Sequence, residues 1–141
     1  MKNIICIVSL VLLFSCNKKE INLSNLDGYW EITKAENNKG KSKEFPYNET
    51  VDYFVLEDST GFRKKLKPLY NGKFKGSKDI ENFMVITKDD ASITLKYSTN
   101  YDSWEEEILS LTSEELVLQN KNGIIYTYAP YTGFKKIEDE E

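Results

Sequence analysis

The chain has 141 residues, 40% of them hydrophobic and 13% aromatic, enough for one domain with its own buried core. Its 19 Lys and Arg against 23 Asp and Glu give a net charge of −4, which argues against nucleic acid as a partner. There is no histidine, so Ser-His and Cys-His nucleophile pairs and histidine-based metal sites are excluded.

Met1-Lys2-Asn3 forms a positive start, Ile4 to Phe14 an apolar run, and a small Ser15 precedes Cys16, the arrangement of a cleaved export signal. The run is too short to span a bilayer, which takes roughly 20 apolar residues. Leu13-Phe14-Ser15-Cys16 resembles the lipobox of bacterial lipoproteins. The resemblance implies cleavage before Cys16, which then carries lipid (palmitate) as the mature N-terminus. Cys6 leaves with the leader and Cys16 is consumed by lipid, so no disulfide is expected within the mature chain. Asn17, not Asp, follows the cysteine, which points to the outer membrane.

Residues 17–20 read as a polar spacer, and Leu23-Ser24-Asn25-Leu26 as one helical turn. Beyond Gly28, segments rich in Val, Ile, Tyr, Phe and Thr recur between turn residues, the pattern of an antiparallel all-β fold. Tyr29 to Ala35 alternates, with Trp30 and Ile32 on one face. In Val51 to Glu57 both faces are apolar: Val51, Tyr53 and Val55 on one, Phe54 and Leu56 on the other. After the turn at Asp58 to Gly61, Phe62, Lys64 and Leu66 share a face opposite Arg63, Lys65 and Lys67. Asn71-Gly72 marks a tight turn before a short strand around Phe74.

Asn82 to Lys88 and Ser92 to Ser98 flank a turn at Asp89-Asp90, and the second alternates cleanly through Ile93, Leu95 and Tyr97. Trp104 to Leu111 fits a strand and also helical spacing; a strand is preferred. Leu116 to Gln119 and Ile124 to Ala129 form a closing hairpin around Asn122-Gly123, and an acidic tail follows. The chain divides into a leader (1–15), a lipidated tether (16–27), a β-barrel (28–134) and a tail (135–141). Eight or nine antiparallel strands in sequential hairpins suit an up-and-down barrel able to hold one small ligand.

Gly28-Tyr29-Trp30 resembles the Gly-x-Trp signature of lipocalins. The stretch Leu111 to Leu118, with Asn122-Gly123 and Tyr126-Thr127-Tyr128, is similar to small lipocalin-like lipoproteins of Bacteroidota-type bacteria. The resemblance implies that Trp30 packs across the barrel floor against an arginine from a late strand. Here the only arginine is Arg63, and the late part of the chain offers Lys121, Lys135 and Lys136 instead.

Two functions follow as expectations. One is a lipid-anchored envelope protein binding an apolar or amphiphilic small molecule, lined by Trp30, Tyr53, Phe62, Phe83, Tyr97, Tyr126 and Tyr128, with Lys64 meeting a polar head group. The other is an envelope interaction module, an inhibitor, immunity or assembly lipoprotein, with a filled barrel. Residues 34–78 hold 11 basic and 6 acidic side chains, while residues 79–141 hold 5 and 14. Arg63, Lys65, Lys67, Lys73 and Lys75 are thus either a solvated face or a contact for an acidic protein or anionic lipid. The carboxylates at Asp89-Asp90 and Glu105 to Glu107 read as turn and surface groups. No enzyme activity, cofactor or metal site is expected.

Overall fold

The computed structural model describes residues 21–133; the leader, Cys16 and the acidic tail lie outside the described residues. A 3-10 turn over Leu23–Asn25 precedes β1 (Gly28–Glu36), β2 (Ser42–Glu44), β3 (Val51–Glu57), β4 (Thr60–Pro68) and β5 (Phe74–Thr87). Then come β6 (Ile93–Ser98), β7 (Ser103–Leu111), β8 (Leu116–Asn120) and β9 (Ile125–Pro130). Every neighbouring pair is antiparallel, and β1 pairs with β9 to close an eight-stranded barrel to which β2 adds as an extra strand. Closure gives each of the eight barrel strands a partner on both sides, so no long edge is left to template aggregation.

Local chemistry accounts for the elements. The Asn22 side chain accepts from Ser24 N at 3.2 Å and caps the 3-10 turn. Turns at the opposite end of the barrel use Gly72 (φ 78°) and Gly123 (φ 79°), where a left-handed backbone favours glycine. β7 is a strand, resolving its two readings. β5 is one strand of 14 residues, where two shorter ones were expected. Its ladder continues through a bulge in which Ser77, Lys78 and Asp79 stand opposite Lys65 alone. β2 carried no signal because Ser42, Lys43 and Glu44 are all exposed and have no apolar face.

The floor of the barrel is closed by the N-terminal turn: Leu26 is wholly buried with Leu111 and Leu116, and Asn22 N donates to Leu111 O at 3.0 Å. Trp30 lies in this core and donates from Nε1 to Leu26 O at 3.0 Å. Phe54, Phe83, Leu95, Tyr97, Ile108, Leu118 and Tyr128 complete one contiguous cluster. Gly61 belongs to its packing, because a Cβ there would come within 2.7 Å of Phe83 Cζ and collide with the Val55 carbonyl oxygen.

The register decides the faces left open by β3 and reverses the one expected for β4. Phe54 stands opposite Arg63, and Arg63 opposite Glu81, so these share the inner face with Asp52 and Lys65. Tyr53, Phe62 and Lys64 consequently lie on the outer face and do not line the interior. Burial of Phe54 fixes this choice, since a one-residue slip would expel it. Outside, Tyr53 stacks on Tyr29 at 4.6 Å, and the far part of the β4–β5 hairpin brings Phe74 onto Tyr29 at 4.6 Å.

Candidate functional site

Inverting β4 places charge inside the barrel. Arg63, the sole arginine, reaches inward from β4 and meets two carboxylates: Glu81 Oε2 at 2.6 Å from Nη2 and Glu106 Oε1 at 3.0 Å from Nη1. Beside it, Lys65 Nζ lies 2.9 Å from Asp52 Oδ1. The guanidinium also covers the Tyr97 ring at 4.5 Å, and Tyr97 stacks on Trp104 at 5.1 Å with an 11° interplanar angle. Arg63, Tyr97 and Trp104 form a layered stack that spans the interior from β4 to β7.

Above this stack a cleft of about 240 Å³ opens in the mouth, lined by Asp52, Arg63, Lys65, Trp104, Glu106, Asn120, Tyr126 and Tyr128. Each wall is positioned by its strand: Asp52 from β3, Arg63 and Lys65 from β4, Trp104 and Glu106 from β7, Asn120 from β8, and the two tyrosines from β9. Asn120 is held by its own turn, its Oδ1 accepting from Asn122 N and Ile124 N at 3.0 Å each. Two larger hollows lie elsewhere. One of about 680 Å³ runs over the outer face of β3–β6 past Phe62, Asn82 and Met84, and carries no buried titratable group. The other, about 460 Å³, adjoins the cleft at Lys65 and is rimmed by Lys67 and Lys75.

Burial sets the electrostatics. It pushes the Glu106 carboxyl up from its ordinary range, against the pull of the Arg63 charge and hydrogen bond, and nearby Asp52 adds to the rise. Burial also opposes the charge on Arg63, but Tyr97, Glu106, Asp52 and Glu81 outweigh it and keep the guanidinium firmly protonated. The Tyr97 and Tyr128 hydroxyls are pushed up by burial and stay neutral. Tyr97 lies near enough to Glu106 to favour its ionised form, yet its hydroxyl is the one buried side-chain polar atom among the described residues without a hydrogen bond of ordinary geometry. Among the described residues no group of three His, Cys, Asp or Glu side chains could hold a metal ion.

Of the residues read from the sequence as a ligand lining, Tyr126 and Tyr128 reach the cleft, and Tyr97 supports it from below. Trp30 and Phe83 face inward but are packed into the core below it. Arg63, expected on a surface patch, is the centre of the network with its side chain only 13% exposed, and Lys65 lines both the cleft and the neighbouring hollow. Lys67, Lys73 and Lys75 are exposed. The sequence reading missed Asp52, Glu81, Trp104, Glu106 and Asn120. Two of these carried a signal: Glu106 alternates with Trp104 and Ile108, and Asp52 with Phe54, so each is a charge inside an otherwise apolar face.

A family model for the lipocalin-like domain matches residues 26–118. Among solved structures, a lipocalin-like protein from Bacteroides uniformis is 14% identical with a TM-score of 0.46, covering 76% of this chain and 99% of that one. An uncharacterized protein from Bacteroides eggerthii gives 14% and 0.46, covering 75% and 99%. Lobster apocrustacyanin A1 gives 13% and 0.44, covering 82% and 66%. Among curated proteins none matches. With the family model spanning the barrel from Leu26 in the floor to Leu118 on β8, the chain belongs to the lipocalin-like domain family.

Proposed function

We propose that this protein is a lipid-anchored binding protein of the cell envelope, held in the outer membrane through Cys16, that takes one small amphiphilic molecule in its barrel mouth. The reading is of binding without catalysis. Its main support is the cleft itself, lined by three aromatic side chains, Trp104, Tyr126 and Tyr128, together with Arg63 and the buried carboxylates Asp52 and Glu106. Apolar walls with a few fixed polar groups are what small-molecule sites are made of. At about 240 Å³ the cleft is smaller than the roughly 300–1,000 Å³ of most ligand pockets, so it suits a compact molecule better than a long acyl chain.

The anchor is supported by the leader and lipobox, and the described chain begins beside the floor, where Ile21 bridges to Leu111. A lipid on Cys16 would then hold the floor end and leave the mouth free. Trp104 is the reporter for binding, because it lines the cleft whereas Trp30 is sealed in the core. Titration with a panel of small aromatic and aliphatic amphiphiles should change tryptophan fluorescence saturably, and Trp104→Phe should abolish the change. A panel without any saturable response would leave the cleft without a ligand role.

A second reading, contact with an acidic envelope partner, has its own support. Lys67 and Lys75 stand directly opposite each other across β4 and β5, and like charges in that position repel. An anionic group between them would relieve the repulsion. Retention of the protein on acidic envelope fractions should weaken with salt and with Lys65, Lys67, Lys73 and Lys75 reversed to Glu.

A further inference from the structure

We propose that the mouth cleft takes a small amine, seated as its ammonium between Asp52 and Glu106 and walled by Trp104, Tyr126 and Tyr128. The inference rests on the reading of the cleft as a ligand site and names the ligand's charge. It starts from a count. The interior network holds two cations, Arg63 and Lys65, against three carboxylates, Asp52, Glu81 and Glu106. Arg63 is fully engaged by two of those carboxylates and two aromatic rings. Lys65, whose side chain is 64% exposed, is a partner that can swing back to water.

The missing positive charge is missing at one place. Asp52 and Glu106 are both buried, both line the cleft, and lie near enough that the charge of one opposes ionisation of the other. Arg63 takes Glu106 through Oε1 and Lys65 takes Asp52 through Oδ1, so each carboxylate has a second oxygen to offer. The Tyr97 hydroxyl, buried beside Glu106, favours the ionised form of the carboxylate that lines the cleft. Around these acceptors stand ring faces and edges that attract a cation and stack on an aromatic or aliphatic body. A carboxylate ligand would instead add a fourth negative charge to a region already one short of balance, and a buried unpaired charge is costly.

The test is calorimetric titration of the full chain, purified in non-ionic detergent at neutral pH, with three probes of one shape: 2-phenylethylamine, 2-phenylethanol and 3-phenylpropionate. The amine should bind saturably and at least tenfold tighter than either analogue. Glu106→Gln and Asp52→Asn should each weaken it at least tenfold, while Lys96→Gln, exposed on β6 outside the cleft, should leave it unchanged. Circular dichroism guards against misfolding, and if Glu106→Gln does not fold then Asp52→Asn decides. Equal or tighter binding of the alcohol or the carboxylate overturns the amine assignment while leaving the cleft a ligand site. Amine binding that survives both carboxylate substitutions overturns it too. Silence from all three probes overturns it as well, and the broader fluorescence panel then judges whether the cleft binds anything.

Discussion

At the floor of the barrel, Leu26, Leu95, Leu111, Leu116 and Leu118 are fully excluded from solvent and bring no side-chain polar atom to satisfy. At the mouth, Asp52 from β3, Arg63 and Lys65 from β4, Glu81 from β5 and Glu106 from β7 meet in ion pairs, and only Glu106 shares a strand with one of these leucines, Leu111. The floor follows the rule that buried apolar surface stabilises by about 25 cal/mol per Å². The mouth departs from it, because desolvating ions offsets most of what their pairing returns. A chain under pressure for stability alone would have continued the leucines upward. That it does not accords with the proposed reading of the upper interior as a binding site.

The sharpest way to break this comparison is to remove the central cation. Arg63→Met leaves Glu81 and Glu106 facing each other in the barrel without a counter-charge, and should cost about 3–5 kcal/mol in denaturant unfolding at neutral pH. Replacing the whole triad with Arg63→Met, Glu81→Leu and Glu106→Leu should be neutral or stabilising, by up to about 4 kcal/mol, while abolishing ligand binding. A triple variant markedly less stable than the parent would make the network structural. At the floor, Leu116→Ala should cost about 2–5 kcal/mol through a cavity, yet leave the affinity of the mouth for its ligand unchanged.

The same contrast explains what could be read in the sequence. Ile93-Leu95-Tyr97 and Leu116-Leu118 belong to the apolar floor and lower wall, and their alternation with polar neighbours is the signal that period-two reading detects. β3 and β4 run through the charged half of the interior, where the inner face carries Asp52, Arg63 and Lys65 and the outer face Tyr53 and Phe62. There hydrophobicity points the wrong way, and only the long-range register with Glu81 and Glu106 corrects it. Phe62 and Lys64 were read inward for that reason. β2 escaped notice because three exposed residues have no pattern to offer. The closed barrel was therefore legible and the charged mouth largely was not.

pH separates the two halves more gently. Folding raises the Glu106 carboxyl above its ordinary value of 4.5, chiefly by burial, so the folded chain binds that proton more tightly than the unfolded chain. Its contribution is fully present below the unfolded value and is lost as pH rises through the folded one. The groups facing it are Arg63, Tyr97 and Asp52, with Glu81 on the far side of the guanidinium. Glu106→Gln should therefore remove a downward slope in stability that sets in as pH rises past the ordinary value of 4.5. Stability profiles of wild type and variant that stay parallel above that pH would mean that burial does not hold back ionisation of Glu106 in the fold.

The smallest effect concerns the rim, and its sign is informative. Lys67 faces Lys75 directly across the hairpin, so Lys67→Glu turns a repulsive cross-strand pair into an attractive one. Pairs of this kind contribute about 0.2–1 kcal/mol, and both side chains are exposed, which holds the gain to the lower part of that range. The variant should therefore melt slightly higher than wild type at low salt, with the difference fading as ionic strength rises. On the acidic-partner reading proposed above, the two opposed lysines are kept for an anion at a cost in stability. If Lys67→Glu gains stability while binding to acidic envelope fractions falls, the rim and the cleft are two recognition surfaces of opposite charge preference on one mouth. If stability and binding are both unmoved, the lysines are solvated surface and the interior cleft alone remains as the site of recognition.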